Sequence, residues 1–478
     1  MKFPRWLVIL WFACIVAVWV VRGLPWNLDE YDQAKQAYTS YEMVERGEWW
    51  FQHTPRQDAA TKPPLVGWLS AGTYYLTHSW NVAWRVPSLV AAVAMLALLW
   101  RSGTWLAGMS GAFLATAAFS WNLLTIRLAT MVRTDMVLTF FIFAAGWLIW
   151  RCLQLQTKWT WRETAVLTFL LTCATMTKGP IYHAFLLPGL VAWLCLAERA
   201  ANQMNIAKGY LVASILSLLP FLLWTWLRMQ QDPAFYEQVV VKEFLGRFTT
   251  GMKAVHNNQT WYFYFPHLLT KALPWSVLLV AGLCFKEKWL GLKKNPAALW
   301  LLCWLLGGLL AMSVVPSKRV DRIFPVIPVA ALCLAGMLPV FLLKRWWQPR
   351  ILTWLMVSAM LGYGIYTGYM VRQGYRNQSD RLVLFGESVQ KLCAEKRWNY
   401  TLVEGRDEGM LMYAGKLVFD DVKGTALLFK NGSIEAAVVD SKKLTKLSER
   451  AGPLQTVLKI AHPTDADYSY HLVHRLQP

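Results

Sequence analysis

Long apolar runs alternate with short polar connections from the N-terminus to about residue 370, most of them near the roughly 20 residues that a helix needs to cross a bilayer core. The candidate spans are 4–22, 83–100, 104–121, 134–152, 162–177, 181–197, 207–228, 267–284, 297–315, 323–343 and 350–370. A further apolar stretch, 64–79, is short, opens with Pro63-Pro64 and contains Gly67, Gly72, Tyr74 and Tyr75. It is predicted to be a helix lying in the membrane interface without crossing. After residue 371 the pattern changes to short β-like runs at 400–403, 416–419 and 436–439, with helical patterns at 380–396 and 441–451. The expected fold is an α-helical polytopic membrane protein of about 11–13 transmembrane helices with a small C-terminal extracytoplasmic α/β domain. Its expected domains are a membrane domain, 1–371, with outer loops at 23–82 and 229–266, and a second domain, 372–478.

Composition agrees with the pattern. Of 478 residues 56% are apolar, only 16% are charged and 28 are tryptophan, which excludes disordered, collagen-like and small disulfide-stapled proteins. Seven of the eight cysteines lie in apolar segments, with only Cys393 in the tail, so no disulfide or metal framework is read from them. The first apolar run follows Lys2, and Arg22-Gly23-Leu24-Pro25-Trp26 offers no small-x-small cleavage site; a retained signal anchor with a cytoplasmic N-terminus is expected.

The distribution of charge says more than the net +20. Alternate connections hold Arg101; Arg151, Lys158 and Arg162; Arg199 and Lys208; Lys286, Lys288, Lys293 and Lys294; and Lys344, Arg345 and Arg350. All fall on the side of Lys2 and Arg5, the cytoplasmic side by the positive-inside rule. The opposite face nevertheless carries Arg127, Arg133, Lys178, Lys242, Arg247, Lys253, Lys318, Arg319 and Arg322. Singly these could snorkel or meet lipid head groups. As a set from several separate connections, they point to a phosphate-bearing ligand.

Acids are sparse in the apolar body: of 28, seven lie in 23–65, thirteen follow residue 371, and eight remain between. Asn27-Leu28-Asp29-Glu30-Tyr31-Asp32 places carboxylates where the first span leaves the membrane, a costly position unless they are used or paired. Asp29 also suits the N-cap of an amphipathic helix over 31–44. Lys62 precedes the stiff Pro63-Pro64 pair, Asp135 opens an otherwise apolar span two residues after Arg133, and Lys178 closes another on the same face. Glu243 and Arg247 are spaced i, i+4, on one side of a helix, with His256 in the same loop.

The ordered series Asp29-Glu30, Lys62-Pro63-Pro64-Leu65, Arg127 to Asp135, Lys178-Gly179-Pro180, Glu243 to Phe248, Pro274-Trp275 and Ser317-Lys318-Arg319 with Pro325 and Pro328 resembles the bacterial 4-amino-4-deoxy-L-arabinose transferases and related protein O-mannosyltransferase-like enzymes, glycosyltransferases of the GT-C class. The resemblance covers residues 1 to 370. It implies transfer of a sugar from a polyprenyl-phosphate (undecaprenyl-phosphate) donor at the periplasmic face of the bacterial inner membrane, with inversion at the anomeric carbon. The acceptor would be an envelope component such as lipid A in lipopolysaccharide, another glycan or a protein. The partners expected are that donor, that acceptor and membrane lipids, with no nucleic acid.

In that chemistry Lys62, Arg247 and Lys318 are the candidates for holding the donor phosphate. Asp29, which matches the family's motif carboxylate, is the first choice for receiving a proton from an acceptor hydroxyl or steadying an oxocarbenium-like transition state, with Glu30 and Asp135 as its catalytic companions. Arg127, Arg133, Lys178, Glu243, His256 and Arg322 are supporting residues. The chain departs from the family at Asp32-Gln33, where many members have Arg-Tyr, and at Ala59-Ala60-Thr61, where Tyr and Glu commonly precede the lysine. No cofactor and no metal are predicted, although Glu243 and His256 leave a zinc site open. Asp465-Ala466-Asp467 is discounted as a metal motif, and His471 with His474 is read as a surface pair. The competing reading is a transporter or flippase of lipid-linked sugars, which would show internal repeats and polar groups at mid-membrane; neither is visible.

Overall fold

The computed structural model describes residues 5–28, 31–198, 202–244, 246, 258–283, 295–344, 349–373 and 379–476. The helices that precede the sheet are α1 (Arg5–Arg22), α2 (Tyr31–Arg46), α3 (Leu65–Thr77), α4 (Trp80–Ala83), α5 (Val86–Ser120), α6 (Leu123–Leu128), α7 (Asp135–Gln154), α8 (Trp161–Lys178), α9 (Tyr182–Leu196), α10 (Gln203–Gln231), α11 (Tyr264–Lys271), α12 (Trp275–Leu283), α13 (Pro296–Val314), α14 (Val326–Lys344), α15 (Pro349–Arg372) and α16 (Arg381–Lys396). Then come β1 (Tyr400–Leu402), α17 (Met410–Tyr413), α18 (Val422–Lys430), β2 (Ala436–Asp440), α19 (Ser441–Ala451), β3 (Leu454–His462) and β4 (Asp465–Arg475). The chain forms two compact units. One comprises Met1–Val20, Thr61–Val66 and Arg85–Thr367; the other Val21–Ala60, Gly67–Trp84 and Gly368–Pro478. Most of the segment 23–82 therefore groups with the C-terminal segment, which a division at residue 371 does not anticipate.

In the first unit every predicted span is helical, with two corrections. Spans 83–100 and 104–121 are the limbs of α5, which folds back at Ala107–Gly108 rather than near Arg101. A straight helix would hold Gly103 and Gly111 about 12 Å apart, whereas a Cβ added to Gly103 would lie 2.4 Å from the Gly111 carbonyl oxygen. The hairpin thus needs glycine twice: at Gly108 for a φ of +62°, and at the Gly103–Gly111 crossing for close approach. Span 267–284 is broken into α11 and α12, because Pro274 cannot donate a helical hydrogen bond and disfavours helix in the residue before it. By length and hydropathy, five helices among the described residues can cross a membrane: Arg5–Arg22, Trp80–Ser120, Asp135–Gln154, Gln203–Gln231 and Pro296–Val314; Tyr182–Leu196 and Val326–Met337 are apolar but shorter.

Small residues let these helices touch. A Cβ on Gly307 of α13 would meet the Gly189 backbone of α9 at 2.5 Å, and Trp304 packs its ring against Gly146 of α7. Such contacts replace the hydrophobic driving force that helices lose in lipid. Indole groups find carbonyl acceptors across helices: Trp300 Nε1 donates to Gly146 O at 3.0 Å and Trp193 Nε1 to Pro296 O at 3.0 Å.

In the second unit a four-stranded sheet runs in the order β1-β2-β4-β3, with β1 and β2 parallel and the other pairs antiparallel. The expected run at 416–419 is not a strand; Val403 and Asp420 share only an isolated bridge. The β3–β4 hairpin, the longest pairing, is absent from the sequence reading. In β4 both faces are covered through the centre, so burial there follows no alternation, whereas β3 is part-covered on the face of Leu454, Leu458, Ile460 and His462 and exposed on the other. Asp465 pairs with Arg406 at 3.2 Å, which gives that motif a structural role. His471 is buried, hydrogen-bonded to Ser469, rather than on the surface, while His474 stacks on Trp398.

Candidate active site

Two helix ends bring the first charges together. Helices α7 and α8 are joined by a short connection and pack side by side, so the N-terminus of one lies beside the C-terminus of the other. Asp135 opens α7 and Lys178 closes α8. Each charge complements its own helix dipole, and Lys178 Nζ donates to Asp135 Oδ1 at 2.6 Å. Gly179, at φ +73°, ends α8 by donating its N–H to Thr175 O at 2.7 Å, a backbone conformation that the Lys-Gly-Pro order supplies.

The segment between α6 and α7 is fixed from outside. Asn122 caps α6 by accepting from the N–H groups of Leu124 and Thr125. Thr130 donates to the Trp19 carbonyl at 3.1 Å, and Ser88 donates to Met131 O at 2.8 Å. Arg133 is consequently held at the protein interior, 5% exposed. Its Nη1 meets Asp321 Oδ2 at 2.8 Å and its Nε lies 3.9 Å from Asp135 Oδ2.

Asp321 sits in a 3-10 turn, Val320–Ile323, that follows a second fixed loop. Asn258 and Ser317 form an antiparallel bridge, and Gln259 donates its N–H to Pro316 O at 3.0 Å. This pairing sets Lys318, whose Nζ donates to Gln259 O at 3.2 Å and whose burial pushes its ammonium below the ordinary lysine value. Arg322 Nη1 reaches Ser317 O at 2.8 Å and Ser317 Oγ at 2.9 Å, and Arg319 Nε is 3.4 Å from Asp321 Oδ1. The Tyr264 hydroxyl is buried beside the Arg319 backbone and lies within the electrostatic reach of Arg322 and Asp321.

Arg133, Asp135 and Lys178 therefore meet directly, Lys62 is near enough for its charge to act on the Asp135 carboxylate, and Lys318 and Arg322 flank the turn that carries Asp321. Arg127 ends α6, half-buried. Asp29, Glu30, Arg247 and His256 lie outside the described residues, as does the side chain of Glu243. The backbone of Tyr236–Phe244 is wound as a π-helix, where an α-helix was expected. Sequence reasoning passes over Asp321, which links Arg133 to Arg319. The signal was available: Asp321 is one of only eight acids in the apolar body and lies within the Ser-Lys-Arg motif region.

Among the described residues the site joins buried Arg133, Asp135 and Lys318 with partly exposed Lys178, Arg322 and Asp321 and half-exposed Arg319. Burying ions costs several kcal/mol each unless they are paired, a requirement that the Arg133–Asp321 and Lys178–Asp135 pairs meet. Among the described residues no group of three His, Cys, Asp or Glu could hold a metal. Both carboxylates of the cluster are engaged by lysine or arginine.

A family profile described as dolichyl-phosphate-mannose-protein mannosyltransferase matches residues 61–226. The undecaprenyl phosphate-alpha-4-amino-4-deoxy-L-arabinose arabinosyl transferase of Erwinia tasmaniensis is 28% identical over 341 residues, 70% of this chain and 60% of its own length. The protein of the same name from Pectobacterium atrosepticum is 26% identical over 435 residues, 86% of this chain and 73% of its own. The chain thus spans less than two thirds of the first relative. In structure it is similar to ArnT from Cupriavidus metallidurans crystallised with undecaprenyl phosphate, with a TM-score of 0.72, 16% identity and 98% of each chain covered. It is similar at a TM-score of 0.55 to the Archaeoglobus fulgidus oligosaccharyltransferase crystallised with Zn and sulfate, at 11% identity over 92% of this chain and 70% of that one. These likenesses show the fold, and with the apolar helices they describe a multi-pass membrane protein.

Proposed function

We propose that the chain is a membrane glycosyltransferase of the GT-C fold, related to the 4-amino-4-deoxy-L-arabinose transferases, that moves a sugar from a polyprenyl-phosphate donor to an envelope acceptor. The donor lipid is undecaprenyl phosphate and the acceptor is lipid A, another glycan or a protein. The N-terminus is cytoplasmic, the C-terminal domain periplasmic and the reaction occurs at the periplasmic face of a bacterial inner membrane. One observation carries the reading: buried Arg133 and partly exposed Lys178 paired with Asp321 and Asp135, with buried Lys318 and half-exposed Arg319 on the loop that leads into Asp321.

The leaving group is a lipid phosphate, on which negative charge grows as the glycosidic bond breaks. Lys62, Lys318 and Arg247 stabilise that charge. Asp135, already engaged by Lys178 and Arg133, holds those cations rather than facing the sugar. That leaves Asp29, with Glu30 beside it, to act on the acceptor. Alanine at Lys318 should lower turnover by about 10²-fold or more, the size found when a positioned oxyanion donor is removed. Arginine there should recover only part, since its planar fork does not reproduce a point charge. Activity of the alanine variant equal to wild type removes Lys318 from the phosphate site.

The test of the reading is mass spectrometry of envelope lipids and glycans from cells lacking the protein, with and without the wild-type gene. A sugar-sized mass should vanish from one component and return on complementation, which identifies both sugar and acceptor. Unchanged envelope masses together with accumulated polyprenyl-phosphate sugars would replace the transferase by a transporter.

A further inference from the structure

Residues 368–478 contain none of the candidate catalytic groups, yet one of their tyrosines reaches the two residues that precede Asp29 in the chain. The Tyr413 hydroxyl accepts from the Leu28 backbone N–H at 2.6 Å and donates to Asn27 Oδ1 at 2.9 Å, with all three residues buried. Tyr413 is itself fixed. It ends α17, its carbonyl accepts from Gln390 Nε2 at 2.6 Å, and α16 packs so closely at Gly386 that a Cβ there would lie 2.5 Å from Tyr413 Cβ.

Other parts of the same segment hold the rest of the loop. Asp380 Oδ1 accepts from the Trp26 N–H at 2.8 Å. Further along, Arg56 pairs with Glu404 at 2.6 Å and Glu408 at 2.8 Å, and Tyr38 donates to Leu417 O at 2.6 Å. Buried hydrogen bonds from a packed domain give a loop a single position, which a polar loop in water would not keep.

We infer that Tyr413 is a positioning residue for the transfer: through it the C-terminal domain fixes Asn27 and Leu28, and with them the chain that leads directly into Asp29. This rests on the reading of Asp29 given under the proposed function. A displacement of about 1 Å in a reacting group can cost about 10²-fold in rate without touching substrate affinity. The structure thereby assigns the C-terminal domain a part in catalysis that its own residues do not reveal.

The experiment uses full-length wild type, Tyr413→Phe, Asn27→Ala and the double variant, each purified in nanodiscs with undecaprenyl phosphate as the binding probe and each scored for envelope product in complemented cells. Tyr413→Phe should lose at least about tenfold in product while binding undecaprenyl phosphate within about twofold of wild type. Asn27→Ala should show the same split, and the double variant should be no worse than the poorer single one, as for two residues acting through one contact. Wild-type product from Tyr413→Phe overturns the inference. So does a parallel loss of product and probe binding, or single effects that multiply in the double variant. Should Tyr413→Phe fail to accumulate, Asn27→Ala decides, since it leaves the C-terminal domain intact and full product from it is equally fatal. If wild type neither binds undecaprenyl phosphate nor makes product, the proposed function falls first and this inference with it.

Discussion

Asparagine in place of Asp29 should cut product formation by at least about 10²-fold while leaving undecaprenyl phosphate binding unchanged, the range expected when a positioned proton acceptor is lost. The substitution is chosen because asparagine caps a helix as well as aspartate does. A cap for α2, the other role open to this residue, survives the change, and a loss of product then belongs to the carboxylate's charge and its capacity to take a proton. The size of the loss also reports on the acceptor. A hydroxyl must give up its proton as it attacks, whereas an ionised phosphate acceptor has none to give and leaves the carboxylate only its electrostatic role. Quantifying product by lipid mass spectrometry in complemented cells, with probe binding measured on the purified variant, checks both parts. Full restoration of product by the asparagine variant would reduce Asp29 to a helix cap.

Alanine at Asp135 should destabilise the membrane unit by about 3–5 kcal/mol and lower product by about 10²-fold or more. The carboxylate is 5% exposed, 2.6 Å from Lys178 Nζ and 3.9 Å from Arg133 Nε. Removing it takes from Lys178 its 2.6 Å partner, while Arg133 keeps Asp321, and breaking such a pair costs far more than the pair itself contributes. Stability and function can be separated by a second change. Replacing both Asp135 and Lys178 by leucine and methionine removes the charges together, and apolar residues of similar volume often fold as well as a buried ion pair. Thermal unfolding in nanodiscs should therefore recover in the double variant, while product should not, because the cations would no longer be arranged for a phosphate. Recovery of product along with stability would show the pair to be structural alone.

Both predictions lean on residues that a linear reading reached by different routes. Asp29 was visible as an acid at a membrane boundary, within a loop already rich in carboxylates. Asp135 was visible as an acid opening an apolar span. Asp321 was just as improbable where it stands, yet nothing along the chain connects it to Arg133, because their 2.8 Å contact joins the turn before α14 to the segment before α7. Tyr413 was less visible still. A buried tyrosine in a small α/β domain looks like core until its hydroxyl is found on the backbone of Leu28.

What the sequence by itself determined was what depends on local composition and period: the helical spans, the C-terminal α/β character and the family resemblance. These follow from the transfer of side chains into lipid and from hydrogen bonding within a helix, which act over a turn or over a span. The tertiary structure decided the rest. It placed the α5 turn at Gly108 because helix packing at Gly103 and Gly111 requires it, and covered both faces of β4 through its centre. It grouped the first loop with the C-terminal domain and closed the Arg133–Asp321 pair. Such contacts depend on which helix ends and loops meet after packing, and charges far apart in the chain carry no mark of that meeting until the fold brings them within a few ångströms.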